Sequence, residues 1–573
     1  MTTTAKTILA GLIALLTGAR TAPAQTATPD LSGLWVAKLR FEPAVPTPVT
    51  ILRSGSSWYA DVGGRRLNAQ LNVRSIAFAL PDDEGQFRGT LRDRGISGHW
   101  FGGRRANYAS PLILTPDGAD RWRGETRPLG VTSTYYLPLT RRADGTYATY
   151  LRNPERNQGQ FIPVSTARVN GDVIDLIGHR ARQPDAVIAS GRYEGGTIRA
   201  VLNGNSYDFV RDNDSASAFF PRGKHAQRYQ YSEPLDMHDG WPVAKPEDVG
   251  ISRGDIEKFV QMLSDMTMDS INTPQVHSFL LARHGKLVVE EYFHGYDRYT
   301  PHDLRSASKS WTSVLIGAAI QSGVPIKPST PVYQTMLGSV PADLDLRKRA
   351  MTLEHLMSMT AGYNCAADDA PGNEDAMQEQ DKEPDWYRFT LNVPMLTAPG
   401  DTIVYCSIEA NLAGGMLHRI AREQLPEMFY RLVAKPLHMK DYQLFLSPSG
   451  DAYGGGGHRF TPRDFMKLSQ LMLNAGKWKG QQIMSREWTL KSGSPMRNLN
   501  SQQQWGWLWN SVELPYKGGK VRGIFAGGNG GQVFMAIPDL DLVVAFTGGN
   551  YAQAATFTSQ REFIPRYVLP AIR

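Results

Sequence analysis

Between about residues 30 and 220, short apolar-rich runs are separated by polar turn-forming pairs. Leu34–Phe41, Ser75–Leu80, Thr134–Leu139 and Asp172–Ile177 read as short strands. Gly63-Gly64, Asp117-Gly118, Asp144-Gly145 and Asn170-Gly171 punctuate them. No long helical periodicity intervenes, so the pattern predicts an all-β barrel- or sandwich-like domain. A polar stretch, 212–242, then separates this part from one where helices and strands alternate. Phe279–Arg283 and Lys286–Glu290 flank His284-Gly285 and predict a hairpin. Trp311–Ile320 predicts a buried helix ended by Gly323 and Pro325. Gln532–Ile537 and Leu542–Phe546 predict a second hairpin across Pro538-Asp539. Helices lying between strands at the two ends of this part predict a layered fold whose sheet joins its first and last strands.

The N-terminus changes the picture of where the protein works. Lys6, the apolar run Ile8–Leu16 and Ala22-Pro23-Ala24 have the order of a secretory leader, its h-region and its cleavage site. The run is too short for a bilayer of about 30 Å, and no later stretch reaches that length. We therefore expect a leader over 1–24, a mature protein that is periplasmic or secreted, and no membrane anchor. An exported chain with two cysteines, Cys365 and Cys406, permits one disulfide without requiring it.

At 573 residues the chain is long enough for two or more domains. Its net charge of +7 comes mostly from scattered arginines in the first half, with no nucleic-acid-binding fingerprint, so no nucleic-acid partner is expected. The 12 histidines show no metal-ligand spacing, and no metal or organic cofactor is expected. No Gly-x-Ser-x-Gly elbow occurs, which argues against an α/β-hydrolase triad.

Candidate chemistry begins at Arg305-Ser306-Ala307-Ser308-Lys309. Three residues apart at a helix start, Ser306 and Lys309 share a face. A serine hydroxyl needs a neighbour to take its proton, and a partly desolvated lysine can do so. Taken alone, the same pair reads as a helix cap and a surface lysine. A second element follows, Pro399-Gly400-Asp401-Thr402-Ile403-Val404-Tyr405-Cys406-Ser407, and a third, Asn529-Gly530-Gly531-Gln532. In this order the three resemble the motifs of the serine β-lactamase and penicillin-binding-protein superfamily, in its class C-like branch of esterases and amide hydrolases. Met351–Gly362 and Gly454–Asp464 are similar to that branch as well.

The resemblance covers about 240–573 and implies an α/β (α+β) β-lactamase-like catalytic domain, its antiparallel sheet flanked by helices. The expected organisation is thus a leader at 1–24, an all-β domain of unreadable role at 25–235 and the catalytic domain at 236–573. Carried over residue by residue, Ser306 is the acylated nucleophile, and Lys309 shares its proton and tunes Tyr405, the general base and then acid. The N–H groups of Ser306 and Gln532 form the expected oxyanion hole, with Gly530, Gly531, Asn529 and Ser407 lining the substrate site. The branch usually has Asn where Ser407 stands and Lys or His where Asn529 stands, so a substrate carboxylate loses its cation. The expected function is an exported serine hydrolase cleaving an amide or peptide bond of a small molecule or short peptide. Ester hydrolysis is the alternative, and a catalytically silent sensor on the same scaffold is the rival from another class. Trp505, Trp507 and Trp509 alternate and read as packing or as a groove wall; Gly454–Gly457 reads as a flexible turn near the site.

Overall fold

The computed structural model describes residues 30–41, 46–92, 95–103, 107–179, 183–365 and 374–573. The expected leader at 1–24 lies outside them. Among the described residues no helix is long and apolar enough to cross a membrane.

The strand-rich first part forms two closed rings of antiparallel strands. One is built in sequence order from Pro48–Ser54 to Arg121–Glu125, whose last strand returns to the first through Val49 and Gly124. The other joins Gly33–Arg40 to Thr132–Arg141 and continues through to Asn205–Arg211, which closes onto Trp35 and Val36. The first ring is therefore an insertion between the first two strands of the second. Each has its own interior: Val49, Ile51, Phe87 and Leu114 in one, Trp35, Leu137, Ile174 and Phe209 in the other. Burial alternates along the strands, because one face of each packs inward and the other meets solvent.

The second part is built on an antiparallel sheet whose order is Lys286–Tyr292, Val276–Arg283, Leu542–Gly548, Gln532–Ile537, Gly519–Gly528, Asn510–Tyr516 and two short edge strands. First and last strands pair, as the hairpins suggested. His284 and Gly285 both take positive φ, the backbone of a tight hairpin turn. The central strands are buried on both faces. On Gln532–Ile537, Phe534 and Ala536 enter a core with helices Lys309–Gln321, Ser407–Ala421 and Pro462–Leu473. Val533, Met535 and Ile537 enter another with helix Arg253–Ser264 and the C-terminal helical segment Ser559–Val568. The three tryptophans 505, 507 and 509 all pack in the first of these cores.

The two parts are joined by main-chain hydrogen bonding. Strand Tyr108–Pro116 of the first ring pairs with Tyr442–Phe445, which pairs with Arg459–Phe460, which pairs with His302–Asp303. This ladder ends three residues before Ser306.

Candidate active site

Ser306 sits in a tight 3-10 turn, Arg305–Ser308, that runs directly into helix Lys309–Gln321. One helical turn separates it from Lys309, whose Nζ donates to Ser306 Oγ at 2.9 Å. Lys309 is 1% exposed, so this ammonium has been taken out of water and faces the hydroxyl. Its Nζ also lies 4.7 Å from the centroid of the Tyr405 ring. Tyr405 is carried by the extended segment before helix Ser407–Ala421, held by Val404 N–H donating to Met359 C=O at 2.9 Å. Trp505 meets its ring edge-on at 5.7 Å while donating Nε1–H to Met357 C=O. Burial pushes the Tyr405 phenol up from its ordinary value; the Lys309 charge and hydrogen bonding to Lys309 and Ser306 oppose that, and the Glu374 carboxylate adds to it. The serine, lysine and tyrosine named from three separate segments thus converge.

Cys365 and Cys406 are joined in a disulfide, with Cα atoms 5.9 Å apart. It ties the residue after Tyr405 to the loop that follows Tyr363. Glu409 is fully buried beside it, and burial holds its carboxyl well above the usual carboxylate range. Among the described residues, Cys365, Cys406 and Glu409 are the one cluster with metal-ligand spacing, but its two sulfurs are bonded to each other.

The residues expected to line the substrate site are distributed differently from the sequence reading. Ser407 gives its N–H to Glu374 Oε1 at 2.8 Å and its hydroxyl to the same oxygen, so a carboxylate caps this helix start. Asn529 turns its side chain away: Oδ1 accepts from Ala552 N–H at 2.7 Å. Gln532 is fully buried, with Nε2 donating to Gly548 C=O at 2.8 Å and to Asn529 C=O at 3.3 Å. Gly530 and Gly531, both with positive φ, form the turn between them. The strand end that abuts the nucleophile is Gly528: a Cβ there would lie 2.3 Å from Leu304 O and 2.9 Å from Ala307 N. The backbone of Gly528 therefore abuts the Ser306 turn, with Gln532 paired opposite it in the sheet.

Sequence reasoning also missed what the glycine run does. It packs directly against the nucleophile turn. A Cβ on Gly456 would lie 2.9 Å from Arg305 O and 3.5 Å from Ser306 Cα, and Gly456 takes φ +130°. Asp303, Arg156 and Tyr108, described below, carried no motif.

Residues 274–555 match the family Beta-lactamase. With a Ser-x-x-Lys turn and a tyrosine converging inside that region, the assignment is direct. This part of the chain belongs to the serine β-lactamase and penicillin-binding-protein superfamily. That superfamily includes penicillin-binding proteins and β-lactamase-like enzymes. A curated relative, the 6-aminohexanoate-dimer hydrolase of Paenarthrobacter ureafaciens, is 25% identical over 224 residues, 37% of this chain and 55% of that protein. The chain thus spans about half the length of this relative. Among solved structures, a putative 6-aminohexanoate-dimer hydrolase from Bacillus anthracis aligns at 17% identity and TM-score 0.44, covering 52% of this chain and 79% of that one. EstCE1, a hydrolase with promiscuous acyltransferase activity, aligns at 18% identity and TM-score 0.43, covering 56% and 97%.

Proposed function

We propose that this protein is an exported serine hydrolase that cleaves an amide or peptide bond of a small, uncharged substrate through an acyl-Ser306 intermediate. The observation that carries the reading is the buried Lys309 ammonium at 2.9 Å from Ser306 Oγ with Tyr405 beside both. Ser306 Oγ bonds to the substrate carbonyl carbon as its proton passes to the Tyr405–Lys309 pair. The tetrahedral oxyanion is met by the Ser306 N–H and by the backbone at the end of strand Gly519–Gly528. The C–N bond breaks as the pair returns the proton to the leaving nitrogen. Water then enters, loses a proton to the same pair and displaces the acyl group, and Ser306 Oγ is reprotonated.

The charges around the turn support an uncharged substrate. Lys309 is engaged by Ser306 and Tyr405, Arg305 faces Asp303, and Asn529 is tied to Ala552. Asn529 stands where the branch usually keeps a cation, and the Glu374 carboxylate is close enough to raise the Tyr405 phenol. The curated relative's name, a hydrolase of an amino-acid dimer, leans the choice from esters to amides. The leader-like N-terminus and the disulfide both suit an oxidising compartment outside the cytoplasm.

Labelling by a fluorophosphonate probe tests the nucleophile: it is expected in the wild type and absent in Ser306→Ala. A protein that takes up no probe would instead fit the silent sensor. Turnover of amino-acid amides, short peptides, p-nitrophenyl esters and nitrocefin tests the substrate class. Esters outpacing every amide by a wide margin would replace the amidase reading with the esterase one.

A further inference from the structure

The first part of the chain lies outside the region matched to the family, yet it reaches the nucleophile turn. Arg305 takes φ +48°, a left-handed conformation that is costly for a side chain of this size, and it immediately precedes Ser306. Asp303 holds that turn: its Oδ1 accepts Arg305 N–H at 3.0 Å and its Oδ2 faces Arg305 Nε at 3.4 Å. Asp303 is 3% exposed, and a carboxylate so buried keeps its charge only if cations surround it. Arg156, from the second ring, places Nη2 3.2 Å from Asp303 Oδ2. Burial pushes the Asp303 carboxyl up, and Arg305, Arg156 and Arg459 together bring it below the ordinary value.

Other contacts from the first part run to the same place. Tyr108 donates its hydroxyl to Gly457 C=O at 3.3 Å, and Gly457 N–H in turn donates to Arg305 C=O at 3.1 Å. Asn157 and Gln160 donate to Tyr551 C=O at 3.0 and 2.6 Å, while the Tyr551 hydroxyl donates to Asp303 C=O at 3.3 Å. The Arg305 guanidinium lies over the Tyr551 ring at 5.4 Å. Alongside the local Ser308 Oγ–H donation to Arg305 C=O at 2.7 Å, these restraints on the residue before the nucleophile lie one or two bonds from the β-rich part.

We propose that Arg156 is a positioning residue for Ser306, acting through Asp303, and that the β-rich part is an integral component of the active site. The inference rests on Ser306 being the nucleophile. With Arg156 present, Asp303 stays ionised and accepts strongly from the Arg305 N–H, and the strained turn presents Oγ to Lys309 and Tyr405. Without it, an uncompensated buried charge is relieved by protonation or by movement, and the turn relaxes.

The rate of fluorophosphonate labelling at saturating probe, measured on the full chain, is the test. Misplacement of a nucleophile by about 1 Å costs on the order of 100-fold, so Arg156→Ala should slow labelling by about 10- to 100-fold. The half-saturating probe concentration should stay unchanged. Arg156→Lys should recover part of the rate. In an Asp303→Asn background, adding Arg156→Ala should slow labelling little further, because the charge it answered is gone. Where Arg156→Ala folds poorly by circular dichroism, Arg156→Lys, Asp303→Asn and the double variant carry the same test. Wild-type labelling by Arg156→Ala would overturn the proposal, as would losses that simply add in the double variant. A raised half-saturating concentration at unchanged maximal rate would make Arg156 a ligand contact and also overturn it. Labelling that persists in Ser306→Ala would instead remove the nucleophile assignment, a distinct failure.

Discussion

The β-rich first part and the sheet of the second part use strands in opposite ways. Strand Thr197–Leu202 of the second ring alternates buried and exposed positions, with Val201 57% exposed. Strand Leu542–Gly548 of the catalytic sheet is buried at every position. A ring closes on itself and removes its edges, so one face suffices for its core. The catalytic sheet is covered on both faces, and its cost is that polar machinery must be buried with it. Lys309, Glu409 and Gln532 are all at 1% exposure or less there. The contrast teaches that only a sheet covered on both faces buries polar groups deeply enough for this site, and that the ladder through Tyr442–Phe445 and Arg459–Phe460 joins it to the one-faced rings.

The comparison can be broken first at the nucleophile. Ser306→Ala should lower kcat by about 10⁶-fold with the melting temperature unchanged, as expected when residues act as a unit. A retained rate, or a large shift in melting, would mean that the turn serves the fold instead of the chemistry.

Burial on two faces against one gives the next largest contrast. Phe546→Ala, at 0% exposure in the catalytic sheet, should cost about 3–5 kcal/mol by denaturant unfolding. Val201→Thr on the outer face of the ring should stay within about 0.5 kcal/mol. Equal costs would erase the distinction drawn above.

The disulfide should matter nearly as much. It closes 41 residues, so Cys365→Ser with Cys406→Ser should cost about 3–4 kcal/mol through the unfolded state. Because Cys406 adjoins Tyr405, labelling should slow as well as melting fall. A fall in melting alone would separate the bond from the base.

pH sharpens the comparison between machinery and scaffold. Tyr405 takes a proton only when ionised, and burial moves its titration upward while the Lys309 charge moves it downward. Lys309→Met should therefore shift the alkaline rise of the labelling rate to higher pH, besides lowering its plateau. An unshifted rise would show that Lys309 does not tune Tyr405.

The smallest effect concerns recognition. Asn529→Lys would restore a cation, and binding of a carboxylate-bearing β-lactam should improve by about 1.5–3 kcal/mol, or about 10- to 150-fold. The gain requires the side chain to leave Ala552, so an unchanged KM for nitrocefin would mean that the Ala552 contact dictates its direction.

Much of this was legible before any coordinates. The strands at Leu34–Phe41, Ser75–Leu80 and Thr134–Leu139 are found within a residue or two, because short apolar-rich runs between turn signals report directly on strands. The proximity of Ser306 and Lys309 was legible from a spacing of three on a helical turn, but their role was legible only together with the other two motifs. Tyr405 was found through its motif, since nothing local says that a tyrosine 99 positions on (405 − 306) meets that turn.

Only the tertiary structure decided the remainder. Two rings, one inserted in the other, produce the same run of short strands as one sandwich, so strand pairing alone distinguishes them. That Gly528 abuts the nucleophile turn was not legible, because a turn of glycines can be shifted by several residues without changing its composition. Ser407 and Asn529 kept the sequence positions of binding residues but turned to Glu374 and Ala552, partners no spacing rule connects to them. Arg156 and Asp303 are 147 positions apart (303 − 156), one an unremarked loop arginine and the other a strand-end aspartate. Local sequence determines periodicity and short-range facing, through bond geometry; which distant charges meet is set by how whole sheets dock, and that information is spread over every strand between them.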